Sequence, residues 1–194
     1  MFQIARRTGL PALACLAALG LPALPATAAN IPVTTLADAD AVDGECSLRE
    51  AIQAANNDSP YNECAAGTGS SDRILLTVPG TILVTAHLPE FLDSAALVGL
   101  GPGTSTIHGQ DAWTLLRLDT GGSGQTFRLG RLTLTTAAGA GSGPALNAGA
   151  HTVRVRDAVL RGVPVADPGG QRFAVRPALP RRDADPDELL GARH

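Results

Sequence analysis

Short apolar runs separated by turn residues fill the middle of this 194-residue chain, and they constrain its fold more than any other feature. Between residues 73 and 162 the runs include RILLTV, TILVTA, AALVGL, LTLTT and HTVRVR. Gly, Pro, Asp and Ser punctuate them, as in PG at 79–80 and GPG at 101–103. Short apolar runs bounded by such residues are typical of β-strands, so this region is predicted to consist of strands and turns.

A weak internal repeat runs through the same region. The segments STIHGQ, LTLTTA and AVLRGV are loosely similar, and their central residues Ile107, Leu134 and Leu160 recur with a period of about 26 residues, within the range of known repeat units. This period suits one coil of a β-solenoid. A β-sandwich also accounts for it, so the spacing alone leaves both architectures open.

The stretch CSLREAIQAANND at 46–58 departs from the strand pattern. Ser47 is a helix-capping residue, and Glu50 stands three positions later, which predicts a capping box. One apolar stripe follows at helical spacing: Leu48, Ala51, Ile52 and Ala55. Pro60 forbids easy continuation. The sequence therefore predicts one short amphipathic helix that lies on an apolar surface.

Residues 1–29 are predicted to be a signal peptide. Arg6 and Arg7 form a basic start, an apolar run follows, and small residues near the end offer a cleavage site. The run is too short and too interrupted by Gly and Pro for a membrane span. A twin-arginine signal and a lipoprotein cysteine at Cys15 are the two alternatives. We therefore expect a secreted, periplasmic or cell-surface protein without a transmembrane span.

Charge disfavours two classes of partner. All 15 basic residues are arginine, against 18 acidic residues, for a formal charge of −3. Cleavage of the signal peptide removes two arginines and makes the charge −5. Nucleic acids and anionic membranes select concentrated positive charge, so neither is expected as a partner.

Two cysteines, Cys46 and Cys64, remain after cleavage. An even pair in an exported protein predicts a disulfide, which would contribute about 3 kcal/mol at this loop length. The alternative is a metal site, but two thiolates so far apart in sequence, without a paired histidine, lack zinc-ligand spacing.

The acidic segment DADAVDGE invites a calcium interpretation through Asp38, Asp40, Asp43 and Glu45. Its spacing misses the calcium-loop pattern by one residue, and the distal bidentate glutamate is missing. A solvated acidic turn is favoured over a weak calcium site, and no cofactor is predicted.

Candidate catalytic charges are scattered along the chain: Asp93, Asp111, Asp119 and Asp157 near turns, and Arg128, Arg131, Arg154 and Arg156 on strands. Isolated solvent-facing charges account for all of them. His87, His108 and His151 stand far apart, and no catalytic motif accompanies them. Aromatic residues are sparse, which disfavours a carbohydrate-binding module, and Trp113 is predicted to be packing. No catalytic residue is predicted.

The segment ECSLREAIQAANND resembles the signature of the CSLREA-type exported bacterial proteins. The likeness extends over residues 31–162, since VTTLADADAVDGECSLREAIQAAN resembles their opening strand, acidic turn and capping helix. The resemblance implies an all-β fold: a short right-handed parallel β-helix of about four coils with an N-terminal amphipathic capping helix, which shields the open end of the stack. It implies no catalytic residues, because none are agreed for this family.

The sequence thus predicts four segments: the signal peptide, an initial strand with a disulfide-tethered capping helix at 30–72, coils at 73–162, and a Pro- and charge-rich tail at 163–194. The tail is expected to be disordered, with a weak C-terminal cap or a truncated gene as alternatives. We expect a non-enzymatic structural or adhesive surface protein whose partner is a polysaccharide or a protein. The alternatives are a carbohydrate-active enzyme such as a lyase or hydrolase, or a truncated remnant that needs a partner.

Overall fold

A computed structural model describes residues 28–69, 71–110, 113–118, 124–135, 146–148 and 151–161, and the backbone of 165–166 and 174–176. Nearly all of the predicted signal peptide lies outside the described residues. One helix, α1 (Leu48–Asn57), and thirteen strands form within them. The strands are β1 (Asn30–Val33), β2 (Asp72–Leu76), β3 (Gly80–Leu83), β4 (Ala95–Val98), β5 (Ser105–His108), β6 (Leu116–Arg117), β7 (Thr126–Gly130), β8 (Thr133–Thr135), β9 (Leu146–Asn147), β10 (Thr152–Arg156), β11 (Val159–Arg161), β12 (Val165–Ala166) and β13 (Ala174–Arg176).

The strands form three separate sheets, and every pairing between them is parallel. The six-stranded sheet has the order β1-β2-β4-β7-β10-β13, the four-stranded sheet β11-β8-β5-β3, and the three-stranded sheet β12-β9-β6. From β4 onward, consecutive strands of the chain belong to different sheets. Each strand therefore pairs with strands that are distant in sequence.

The register of each sheet stacks apolar side chains into columns. A column of five buried residues crosses the six-stranded sheet: Ile31, Ile74, Leu97, Leu129 and Val155. The other two sheets bury shorter columns: Ile82, Ile107 and Leu134, and Leu116 with Leu146. All of these side chains belong to one hydrophobic cluster, so the three sheets enclose a common core.

Helix α1 contributes directly to that core. Its apolar stripe is fully buried at Leu48, Ala51 and Ile52, and the helix contacts β1 and β2. The opposite face carries polar side chains and is partly exposed. The helix is therefore held by tertiary packing, which a ten-residue helix needs because it is marginal in isolation.

The predicted fold class is wrong. The strand pattern predicts an all-β fold, and the resemblance implies a short right-handed parallel β-helix of about four coils. The structure instead has three separate parallel sheets and a helix whose apolar face is part of the core, which gives it α/β character. Turn residues and alternation locate strands, but they do not say how strands divide among sheets or how deeply a helix is buried.

Two short strands, β12 and β13, fall inside 163–194, the segment predicted as a tail. β13 extends the six-stranded sheet beside β10. The rest of that segment lies outside the described residues. Within the part of the chain that the structure describes, no helix has the length and apolar character needed to cross a membrane.

The core columns predict a large cost for removing one central side chain. Leu97 is fully buried in the middle of the six-stranded sheet, whereas Leu83 on β3 is 51% exposed. We expect Leu97→Ala to lower the free energy of unfolding by about 2–5 kcal/mol, since it leaves a cavity. Leu83→Ala, the same substitution at an exposed strand position, is expected to cost less than about 1 kcal/mol. Urea denaturation of both variants measures the difference, and equal midpoints would contradict the common core.

Candidate functional site

The start of α1 is fixed by reciprocal hydrogen bonds. Ser47 is the N-cap residue, with extended backbone angles, and its hydroxyl accepts a hydrogen bond from the Glu50 N–H at 3.2 Å. The Glu50 carboxylate in turn accepts a hydrogen bond from the Ser47 N–H at 2.9 Å. Two backbone donors that lack helical partners are thereby satisfied.

Glu50 also binds two loops besides the helix start. Its second carboxylate oxygen accepts hydrogen bonds from the Ala41 N–H at 2.9 Å and from the Asn62 side chain at 2.7 Å. The residue is fully buried. Burial alone would raise the pKa of Glu50, but the hydrogen bonds from Ser47, Asn62 and Ala41 outweigh it and hold the pKa below its usual value. Glu50 is thus a structural anion, bonded on both oxygens.

Asp38 joins the acidic segment to the helix and to the loop after β3. Its carboxylate accepts two hydrogen bonds from the Arg49 guanidinium, at 3.1 and 2.8 Å, and two from Thr85, at 2.7 and 2.9 Å. Burial would raise the pKa of Asp38, but the hydrogen bonds from Arg49 and Thr85 lower it overall. Arg49 also donates to the carbonyl of His87 at 2.6 Å.

The predicted disulfide is confirmed. Cys46 and Cys64 are bonded, with their Cα atoms 4.9 Å apart, and both residues are buried. The Cys46 N–H donates to the Thr34 hydroxyl at 2.8 Å, and the Thr34 N–H donates to the Cys46 carbonyl at 2.9 Å. The bridge therefore joins the start of α1 to the segment after α1, and the hydrogen bonds of Cys46 connect both to Thr34 after β1.

The four weak calcium candidates do not converge. Asp38 is bound to the helix, Asp40 accepts a hydrogen bond from the Tyr61 hydroxyl at 3.1 Å, and Asp43 accepts one from the Glu45 N–H at 3.0 Å. The bond to Asp40 stabilises the protonated phenol and raises the pKa of Tyr61. Among the described residues, no three His, Cys, Asp or Glu side chains form a group that could hold a metal ion.

Five exposed arginines gather on the outer face of the six-stranded sheet. We call them the arginine surface: Arg73, Arg128, Arg131, Arg154 and Arg156. The strand register explains their convergence. Arg73 on β2, Arg128 on β7 and Arg154 on β10 occupy the same register row, in which Ala96 of β4 stands between the first two. Arg156 lies in a neighbouring row beside Gly130.

These arginines surround an open groove of about 590 Å³. Its floor is formed by small and apolar residues of the central strands, namely Ala96, Val98 and Gly130. Asp157, which follows β10, is the one carboxylate among the described lining residues. The groove therefore combines cationic walls with a largely apolar floor.

No arginine of the arginine surface forms an ion pair with a described residue. The two ion pairs there are Arg49 with Asp38 and Arg117 with Glu90, and neither involves the groove. Arg131 donates to the Leu100 carbonyl at 2.7 Å, which fixes its direction without neutralising its charge. Clustered like charges repel one another, so an anion placed among them relieves that repulsion.

Charge is segregated along the chain. Residues 28–69 hold seven acidic side chains and one arginine, whereas the described residues of 71–161 hold four acidic side chains and seven arginines. In the first segment, Glu50 and Asp38 are already used as hydrogen-bond acceptors. Positive charge therefore concentrates on the sheet although the whole chain is acidic.

The histidines and the other acidic residues considered as catalytic candidates do not converge on one site. His87 contacts the partly buried Trp113 edge-on, with ring centroids 5.2 Å apart, and His151 is buried. The Nδ1 atom of His108 accepts a hydrogen bond from the backbone of Gln110 at 2.9 Å. These three histidines form no cluster. Asp93 does not line the groove, and the two remaining acids, at 111 and 119, lie outside the described residues.

The convergence of the arginines was missed at the level of sequence. The sequence pattern predicts an isolated surface charge at each of Arg128, Arg131, Arg154 and Arg156. The signal that could have found them is their spacing, because the separation of Arg128 from Arg154 equals that of Leu134 from Leu160. Applied to charged residues, the same period predicts that the two arginines stack on adjacent strands.

Comparison with families of known proteins, with curated proteins and with solved structures finds no match to this chain.

The lowered pKa values predict a loss of stability in acid. A carboxylate whose pKa is lower in the folded than in the unfolded state stabilises the fold above its unfolded pKa, which is near 4.5 for Glu50 and 3.8 for Asp38. This contribution is lost as the pH falls through the folded pKa. We therefore expect the urea midpoint to fall steeply as the pH is lowered from 5 to below 4.

The Glu50→Gln variant isolates the contribution of Glu50 to this loss of stability in acid. At pH 7 we expect the free energy of unfolding to fall by about 1–3 kcal/mol, because only one of the two side-chain atoms of an amide can accept hydrogen bonds. We also expect the stability of this variant to depend less on pH. Glu63→Gln, at an exposed position in the segment after α1, is the matched control and is expected to change stability by less than about 0.5 kcal/mol. Similar pH profiles for the two variants would contradict the role of Glu50.

Reduction of the disulfide tests the tethering of α1. The bridge closes a loop between residues 18 positions apart, so its loss should lower the free energy of unfolding by about 3 kcal/mol. A circular dichroism melt with and without reductant measures this shift, and the Cys46→Ser/Cys64→Ser double variant controls for side effects of the reductant. An unchanged melting temperature in both cases would contradict the prediction.

Proposed function

We propose that this chain is an exported, non-enzymatic adhesive protein that holds an anionic partner on its arginine surface. The partner is met outside the cytoplasm, at the cell surface or in the periplasm. The sheets and the disulfide-tethered helix form the scaffold that presents this surface.

The observation that carries the proposal is the convergence of five arginines around one groove, none of which forms an ion pair with a described residue. Exposed arginines on a soluble protein are usually interspersed with acidic residues, because like charges in one field destabilise the fold. Here the register holds three of them in one row. Binding of an anion among these arginines offsets their mutual repulsion and therefore stabilises the folded protein.

Two features support export. The residues ahead of the described part have the composition of a signal peptide, and the chain resembles the exported CSLREA-type proteins. The Cys46–Cys64 bridge is compatible with an extracellular location, since disulfides persist in oxidising compartments.

A carbohydrate-active enzyme is the second candidate, and one observation favours it. Asp157 lines the same groove as the arginines, so a ligand bound there would meet a carboxylate and several guanidinium groups. Such a pair can transfer a proton and stabilise a developing negative charge. Release of new reducing ends from an acidic polysaccharide, lost in Asp157→Asn, would favour this candidate over adhesion.

Retention on a sulfonate cation-exchange resin at pH 7 and low salt tests the arginine surface itself. The full chain has a formal charge of −3, so its net charge predicts no retention. We expect retention nevertheless, because local charge governs adsorption. Arg128→Gln/Arg154→Gln is expected to pass through the column.

The matched control is Arg117→Gln/Arg161→Gln. These two arginines lie on the three-stranded and four-stranded sheets, away from the groove, and their loss changes the net charge by the same amount. The control variant should be retained like the unmodified protein. If both double variants lose retention equally, net charge is responsible and the proposal fails.

A further inference from the structure

We propose that the ligand of the arginine surface is a linear acidic polysaccharide, with carboxylates on its sugar units, that lies across the strands of the six-stranded sheet. This inference rests on the proposed function and names the chemical class that the groove accepts. It follows from the direction of the arginine row, the nature of the groove floor and the pairing of the strands beneath it.

The arginine row has a direction and a spacing. Neighbouring strands are about 4.8 Å apart, so Arg128 and Arg154 stand one strand apart and Arg73 and Arg128 two strands apart, about 10 Å. The row therefore spans about 14 Å across the sheet. Arg156 places a further cation alongside it. Repeated positive charge along one line suits a linear ligand with repeated negative charge better than a single small anion.

The groove floor fits sugar rings. Ala96 occupies the row position between Arg73 and Arg128, and Gly130 stands beside Arg156. The positions between the cations therefore carry small side chains and leave a depression in the surface. The half-buried side chain of Val98 completes the floor. Sugar units offer C–H faces to such a floor, while their carboxylates reach the guanidinium groups, which bind carboxylates through two parallel hydrogen bonds.

Nucleic acids fit this groove less well. Its lining, as far as the structure describes it, contains no aromatic side chain, whereas single-stranded nucleic acid is held by bases that stack on aromatic rings.

Acidic peptides are disfavoured by the backbone beneath the groove. Extended peptides usually bind by adding a strand to a free sheet edge. The strands under the arginine row, β2, β4, β7 and β10, are each paired on both sides. A peptide lying on this face therefore finds no free strand edge with which to pair.

The expected binding is multivalent. Exposed ion pairs are individually weak, so affinity depends on several contacts made along one ligand chain. Affinity should therefore rise with ligand length until the row is filled, and it should fall as salt is added. A single uronic acid should bind too weakly to measure.

The test measures binding of polygalacturonate to the oxidised protein by calorimetry at low salt. Fully methyl-esterified polygalacturonate, which has the same backbone without charge, is the matched ligand. We expect binding of the acid form alone. Arg128→Gln/Arg154→Gln should weaken it about tenfold, while Arg117→Gln/Arg161→Gln should leave it within about twofold.

Each contrary result has a distinct meaning. Equal binding of the esterified form, or equal weakening by both double variants, would overturn the inference. If poly-glutamate or single-stranded DNA binds as tightly as polygalacturonate through the same arginines, the ligand class is wrong but the anion-binding function stands. If no polyanion binds and the sulfonate resin does not retain the protein, both proposals fail.

Discussion

In-register parallel pairing of the strands is the constraint on which the rest of this structure depends. Because side chains alternate between the two faces of a strand, a fixed register places equivalent positions of successive strands in rows. The inward rows become the apolar columns, such as the one that contains Ile74, Leu97 and Leu129. The outward rows are aligned by the same pairing. A shift of one residue would expose the column and bury the arginines together, so the core and the arginine surface are specified by one interaction.

The N-terminal part of the fold shows how the acidic residues are used. Glu50 accepts hydrogen bonds on both carboxylate oxygens, and Asp38 is held by Arg49 and Thr85. Asp72 is likewise buried and accepts hydrogen bonds from the backbone of Ala29 and Thr68. These carboxylates hold loops against strands and against α1. They are therefore structural, and they are not available to neutralise the arginines of the sheet.

Local features of this chain could be predicted from sequence, because they depend on residues close together. The helix, its Ser47–Glu50 start and the Cys46–Cys64 pair each follow from spacing within one short stretch of the chain. The division into three sheets could not be predicted, since strand propensity says nothing about which distant strand is the partner. The burial of α1 in the common core depends on the same long-range packing. The arginine surface stayed hidden for that reason too: Arg73 and Arg128 are far apart in sequence, and only the register makes them neighbours across one intervening strand.

Net charge is a poor guide to what this protein attracts, because the two signs occupy different parts of it. The formal charge of −3 is an excess of acids concentrated around the first strand and the helix, many of which are bonded internally. A ligand that approaches the six-stranded sheet meets the field of five arginines, and at physiological salt charges more than about 8 Å away are largely screened. The acidic segment lines no part of the groove, so screening reduces its effect on an anion that lies among the arginines. An anionic chain that lies within the arginine row meets mainly this local positive field, so the segregation of charge allows an acidic protein to accept an anionic ligand.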